Sequence, residues 1–298
     1  MSHPLSKLAS MNKLTTAKRA EVIGLLCEGM SMRAIYRTTG VARQTINDLL
    51  QAVGEAASEY QAKTMVDLPC RVIECDEIWS FCHSKEKNVP ADKAGEFGFD
   101  DIWTWTSIDA DTKLVPSWLV GERTISDASV FLSDLKSRLH DSRIQLTTDG
   151  LRNYLTVVDR LWTDNIDFAM LHKIYGRPVG QSNPERKYSP DICMGIDVRV
   201  IAGSPDMSRV STSYVERNNL TMRMGRRRFT RLTNGFSKKI EFHAHAVSLN
   251  FLYYNFARGH QSLRVKNADG TFTKRSPAMA AGLADHIWTT WEIAELLG

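Results

Sequence analysis

The stretch CRVIECDEIWSFC, Cys70 to Cys82, decides how the rest of the chain is read. Its β-branched and aromatic residues mark a strand, and its apolar flanks mark a buried one. Yet Glu74, Asp76 and Glu77 sit in its middle. A buried carboxylate without a partner is costly. Either the strand runs along an exposed edge, or a positive partner waits for the acids. Strand alternation puts Asp76 on one face and Cys75 and Glu77 on the other.

A chain of 298 residues holds one large domain or two ordinary ones. The balance of 43% hydrophobic and 24% charged residues is that of a globular protein rather than a disordered one. A net charge of +4 and a pI of about 8.7 permit a nucleic-acid partner without requiring one. The five cysteines, Cys27, Cys70, Cys75, Cys82 and Cys193, are odd in number and form no CxxC pair. That argues for a reducing compartment, no disulfide framework and no structural zinc. The opening MSHPLSKLAS has no apolar signal core, and no apolar run approaches the ~20 residues of a membrane span. A cytoplasmic protein without membrane segments is expected.

Upstream of the strand, TTAKRAEVIGLLCEGM places Ala20, Ile23, Leu26 and Cys27 at helical spacing. In SMRAIYRTTGVARQTINDLL, Ser31 is a good N-cap for a short helix ending near Thr39, and Gly40 supplies a tight turn. A second helix follows from about Ala42, with Ile46, Leu49 and Leu50 inward. This is a helix-turn-helix pattern, whose second helix enters the major groove. Arg43, Gln44 and Asn47 then point outward, and such side chains read base edges. A plain helical hairpin is the competing reading. Gly54 to Pro69 is polar and rich in small residues, and reads as a helix tail plus linker. The expected division is residues 1–62, helix-turn-helix with linker, and 70–298, a second domain.

Downstream, EFGFDDIWTWTSIDADTKLVPSWLVGE reads as a hairpin: strand 101–109, turn 110–112, strand 113–121. An amphipathic helix capped by Ser126 follows, then the short strand IQLTTD, a helix over 151–162 and the strand IDFAMLHKIY. Three strands in series followed by alternating helix and strand predict an α/β mixed sheet flanked by helices. The segment 176–213 is a long connection, either functional or holding a small hairpin. Helices are expected over STSYVERNNLTMRMGRRRFTRLTNGF and, capped by Ser237, over SKKIEFHAHAVSLNFLYYNFARGH.

Three acids stand out by position. Asp76 lies mid-strand, Asp149 ends a later strand before Gly150, and Glu216 lies near the start of a basic helix. In α/β sheets, strand ends and helix starts gather at one edge, where ligands bind. Three carboxylates converging there repel one another unless they hold divalent cations, and hard oxygen ligands suit Mg²⁺. Residues 217–240 carry eight Lys or Arg and no acid, among them Arg217, Arg223, Arg226, Arg227 and Arg228. On one helix such charges repel unless a polyanion is present. Arg223, seven residues past Glu216, shares its face. A solvated basic helix is the alternative. Glu77, Asp109, Asp111 and Asp197 read as surface or turn residues, with Asp109 or Asp111 as a substitute ligand. His243 and His245 read as packing or phosphate-contacting groups, and Tyr253 and Tyr254 as core.

These motifs together resemble a known family. YVERNNLTMRMGRRRFTRLTNGFSKK resembles the C-terminal signature of insertion-sequence-one family transposases. IECDEIWSF and LTTDG resemble the segments that carry that family's first two catalytic acids, and YYNFARGHQSL followed by SPAMAAG resembles the tail of its longer members. The resemblance runs from about Cys70 to Leu297. It implies a ribonuclease-H-like core with a DDE triad of Asp76, Asp149 and Glu216, and Arg223 as the basic residue two turns on. It also implies a DNA transposase that cleaves transposon ends and joins the 3′-OH to target DNA. Two Mg²⁺ ions, with Mn²⁺ as a substitute, would act in one site, and joining two ends implies a homodimer or higher homo-oligomer. A non-enzymatic helix-turn-helix regulator and a metal-dependent nuclease without strand joining are the rival readings.

Overall fold

The computed structural model describes residues 14–140, 143–176, 192–230 and 233–298. They form a mixed α/β fold that divides into two compact units. The units do not follow chain order. One comprises residues up to Val66, Trp79–Trp103 and Leu220–Gly298; the other comprises Asp67–Ile78 and Thr104–Asn219.

The second unit holds most of a six-stranded sheet. Its strands are β1 (Val72–Phe81), β2 (Asp101–Asp109), β3 (Trp118–Gly121), β4 (Ile144–Thr148), β5 (Ile166–Gly176) and β6 (Ile192–Ala202). Their order is β3-β2-β1-β4-β5-β6. β1, β4 and β5 run parallel, and β6 returns antiparallel to β5. The β2–β3 hairpin closes through Asp109 N to Leu114 O at 2.8 Å and Ser107 N to Ser117 O at 3.1 Å. Helices α4 (Ile125–Arg138) and α5 (Asn153–Trp162) supply Phe131 and Tyr154 to a fully buried aromatic cluster around Trp105. Ring centroids there lie 5.9 Å and 5.6 Å apart. The mixed sheet flanked by helices is the fold class expected of a ribonuclease-H-like core.

Several local expectations change. The strand after the β2 turn begins at Trp118 rather than Lys113, which has a φ of +61°. Such a φ is left-handed and breaks the ladder for a residue with a side chain. Helix α4 is capped by Thr124, whose side chain accepts from Asp127 N, and not by Ser126. Strand β6 fills much of the long connection, and β5 continues to Gly176 to pair with it. Residues 177–191 of that connection lie outside the described ones.

In the first unit, α1 (Thr16–Cys27), α2 (Met32–Thr39) and α3 (Arg43–Thr64) bury Ile23, Ile35, Ile46, Leu50 and Val53. Ser31 caps α2 and Gly40, at φ +72°, ends it. Helix α3 runs to Thr64, so residues read as a linker are helical. The small residues there serve close packing. A Cβ on Gly54 would lie 2.5 Å from that of His245 on α7 (Ile240–Leu252). Ser248 Oγ donates to the Gly54 carbonyl at 2.8 Å. Ser237 does not cap α7, whose first residue follows Lys239; it bonds His243 Nδ1 at 2.8 Å instead.

Helix α6 (Ser213–Gly225) ends earlier than the basic run, giving way to a short 3₁₀ turn at Arg227–Phe229. The unit closes with the two-stranded ribbon β7 (His260–Lys266) and β8 (Phe272–Arg275) and short helices α8 (Pro277–Ala280) and α9 (Thr290–Glu295). Among the described residues no helix is long and apolar enough to cross a membrane.

Candidate active site

The three acids of β1 have three different environments. Glu74 is 1% exposed, and its Oε2 accepts from the backbone N–H groups of Tyr214 (2.8 Å) and Val215 (3.0 Å). A strand carboxylate therefore caps the N-terminus of α6, where orphan donors and the helix dipole favour negative charge. Burial nonetheless raises its pKa to about 7, against those two hydrogen bonds.

Asp76 lies two residues on, facing the same helix. Its Oδ2 accepts from Asn219 Nδ2 at 2.9 Å. Asn219 is three residues past Glu216, so the contact fixes the helical face on which Glu216 stands. Burial first, and the charge of Asp149 second, raise the Asp76 pKa to about 6; Glu216 adds to the rise.

Glu77 is 6% exposed and faces α5. It is not a surface or turn residue. Its Oε1 accepts from Tyr154 Oη at 2.5 Å, and its Oε2 accepts from Arg123 Nε at 3.2 Å and Nη2 at 3.0 Å. Burial, then Asp149, push its pKa up to about 8. Asp109 is a turn residue, though a buried one: its Oδ2 accepts from Thr112 N and Oγ1, which closes the β2 turn. Asp111 pairs with Arg209, and Asp197 with Arg199 at 2.9 Å.

The parallel register explains why Asp149 joins Asp76 and Glu77. Cys75 is level with Thr148, the last residue of β4. Asp149 thus lies just beyond the end of β4, beside the two acids that β1 continues to carry. Its Oδ1 accepts from Leu151 N at 2.9 Å, and its Oδ2 pairs with Arg123 at 3.5 Å. The glycine after it leaves room for a neighbouring ring. A Cβ on Gly150 would stand 2.0 Å from the His172 ring of β5.

Carboxylate oxygens of Asp76, Glu77 and Asp149 all lie within 4.8 Å of one another. Oxygen ligands stand ~2.0–2.6 Å from Mg²⁺ or Ca²⁺, so two on a common ion lie within about 5 Å of each other. The all-oxygen donor set, the raised pKa values and the buried Asn219 Oδ1, which has no hydrogen-bond partner, fit a hard divalent cation. Glu216 stands outside that group of three. Lys173 of β5 pairs with its Oε2, and Thr212 Oγ1 donates to its Oε1 at 2.8 Å.

The basic residues divide. Arg217 and Arg227 are exposed, and Arg223 is half-buried. Arg226 donates to Asn250 Oδ1 at 3.1 Å. Arg228 donates to Ser237 Oγ at 3.1 Å and the Phe242 carbonyl at 3.3 Å, and burial lowers its pKa to about 10. Those two guanidinium groups are hydrogen-bonded within the protein. His243 is fully buried beside Arg228, with its pKa depressed to about 3. On α3, Arg43 and Gln44 are exposed and Asn47 half-buried; Gln44 donates to Asp48 at 2.7 Å.

Arg123, Tyr154, His172 and Lys173 had no motif to announce them. Only Lys173 carried a hint, as a cation among the apolar residues of a strand.

No protein-family model matches the sequence, and no curated protein matches it. Solved structures similar to it are DNA transposases. The Mos1 transposase paired-end complex with the left transposon end is 13% identical, with a TM-score of 0.24, and the match covers 55% of this chain and 64% of that one. The piggyBac transposase synaptic complex with hairpin DNA is 10% identical, with a TM-score of 0.40, over 95% and 69% of the two chains. The Mos1 mariner paired-end complex with Mn is 13% identical, with a TM-score of 0.24. The chain thus spans 64% of the length of the first of these.

Proposed function

We propose that the chain is a DNA transposase of the DDE type, in which Asp76, Asp149 and Glu216 hold divalent cations against a DNA phosphate. One observation carries the reading: acids far apart in sequence converge at the carboxyl edge of the sheet, within 4.8 Å for Asp76 and Asp149. They are the residues to which the insertion-sequence-one resemblance points. When bound, such cations lower the pKa of water and neutralise charge on the scissile phosphate.

The chain's own groups prepare that chemistry. Asn219 orients Asp76. Glu74 seats the start of α6, so that Glu216 is presented from a fixed helix end. Lys173 pairs with Glu216. Arg123 draws Asp149 towards Glu77. Arg43, Gln44 and Asn47 read base edges from α3, and Arg217, Arg223 and Arg227 meet phosphates. Joining two DNA ends needs two such sites, hence a homodimer or higher homo-oligomer.

The test uses a duplex made from the DNA flanking the gene, with a supercoiled plasmid as target. Mg²⁺ or Mn²⁺ should support nicking to a 3′-OH and joining of that end to the plasmid. Asp149→Asn should lose both steps and keep DNA binding. Nicking without joining would make the protein a nuclease. Binding without metal-dependent cleavage would make it a regulator.

A further inference from the structure

We propose that the β7–β8 ribbon is a DNA-backbone-binding arm, in which Arg264, Lys266 and Lys274 each meet a phosphate. This rests on the reading that DNA is the substrate, but it concerns residues far in sequence from the carboxylates.

The pairing register places these cations. Lys266 is opposite Phe272, and Val265 opposite Thr273. Directly opposed residues of an antiparallel pair share a face, as do residues two apart on one strand. Arg264, Lys266, Phe272 and Lys274 therefore share one face of the ribbon, and Val265 and Thr273 the other. The Arg264 guanidinium carbon, 4.2 Å from the Phe272 ring centroid, agrees with this assignment.

Charge separates this ribbon from an ordinary solvated hairpin. Residues 260–275 carry four Lys or Arg and one acid, a net +3 in a chain whose total is +4. The one acid, Asp269, is committed to the turn, where its Oδ1 accepts from Thr271 N at 2.9 Å and Oγ1 at 2.6 Å. Arg275 is engaged in the fold, donating to the Met279 carbonyl at 2.8 Å. The remaining three cations are exposed, with a 49%-exposed Phe272 among them.

Spacing favours a polyanion over a single phosphate. Same-face positions on a strand are ~6.6 Å apart and neighbouring strands ~4.8 Å apart. Duplex DNA carries one charge per ~1.7 Å of axis, so a patch of this size faces several phosphates.

The experiment measures binding of the full chain to random-sequence duplex across a salt series. Each phosphate contact contributes about 0.9 to the slope of log affinity against log salt. The triple variant Arg264→Ser/Lys266→Ser/Lys274→Ser should lose between about two and three of slope. Arg264→Lys should keep the slope, and Val265→Thr on the opposite face should change nothing. An unchanged slope in a folded triple variant overturns the arm. So does loss of binding to phosphatidylserine vesicles, or a dimer-to-monomer change, with the DNA slope intact. If wild type binds and cleaves DNA while the triple variant matches it, only the arm fails. If wild type neither binds nor cleaves, the transposase reading fails with it.

Discussion

Replacing Asp76 by Asn should make the metal-free protein more stable, not less. The Asp76 carboxyl has its pKa raised to about 6 from an ordinary 3.8, because it is buried beside Asp149. A folded-state pKa above the unfolded one means that the folded protein holds the extra proton between those values. The penalty is therefore absent below about pH 4, grows as pH rises through the window, and is fully present above about pH 6. At 1.36 kcal/mol per pKa unit, a rise of roughly two units costs about 3 kcal/mol at pH 8. Asn cannot ionise, and its amide oxygen can still accept from Asn219, so the variant escapes that cost. Relaxation of the site cuts the gain to about 1–3 kcal/mol, which for a chain of this size is several degrees of Tm.

Thermal unfolding with a chelator, near pH 8 and near pH 4, reads this directly. The gain should be large at the higher pH and mostly gone at the lower. Adding Mg²⁺ or Mn²⁺ should raise the wild-type Tm, since a ligand that binds only the folded state stabilises it, and should leave the Asn variant unmoved. A variant that is less stable at both pH values, or that keeps the metal-induced shift, would refute the claim that Asp76 is a strained ligand.

Gly150→Ala should cost about 1–3 kcal/mol in Tm measurements and abolish cleavage, because the new methyl overlaps the His172 ring; Gly150→Ala/His172→Ala should recover the stability, and no recovery would show that the turn itself needs glycine. Glu74→Ala should lose about 1–2 kcal/mol by unfolding titration, the worth of a charged cap, and should depress cleavage more than DNA binding because Glu216 loses its fixed helix end; equal losses in both would reduce Glu74 to a stability residue. Alanine at Arg43, Gln44 and Asn47 together should erase the preference for flanking-end DNA over random DNA in competition binding, and an undiminished preference would move sequence reading elsewhere.

The sheet was legible because its signals are local. Period-two alternation marked β1 and β2, and the acids at strand ends marked the edge where a ligand site forms. What was hidden depends on tertiary partners. Glu77 passed for a surface residue because nothing near it in sequence announces Arg123 or Tyr154, 46 and 77 positions away. The basic run reads in sequence as one helix, but α6 stops at Gly225, and the turn after it points Arg226 and Arg228 at Asn250, Ser237 and Phe242. Gly54 to Pro69 reads as a helix tail plus linker; the tail runs to Thr64, and its small residues answer to the close approach of α7, which leaves no periodic mark in either segment.

Three acids on one strand are tolerable because each meets a different solution to the cost of burial. Glu74 gives an oxygen to two backbone donors at a helix start, which offsets part of the cost of burying its charge. Glu77 has both oxygens engaged, one by Tyr154 and one by Arg123, so binding a cation directly would break a buried hydrogen bond or an ion pair. Asp76 accepts from the Asn219 side chain and from the Glu77 backbone, and Asp149 takes Leu151 N on one oxygen and shares Arg123 with Glu77, at the longer distance of 3.5 Å, on the other. Of the three carboxylates within reach of one ion, Glu77 has the closer ion pair, at 3.0 Å against 3.5 Å for Asp149, and Asp76 is held by amide donors. Glu77 and Arg123 then form the fixed wall against which those two are aimed, and the proposed metal takes the charge that the protein itself does not neutralise.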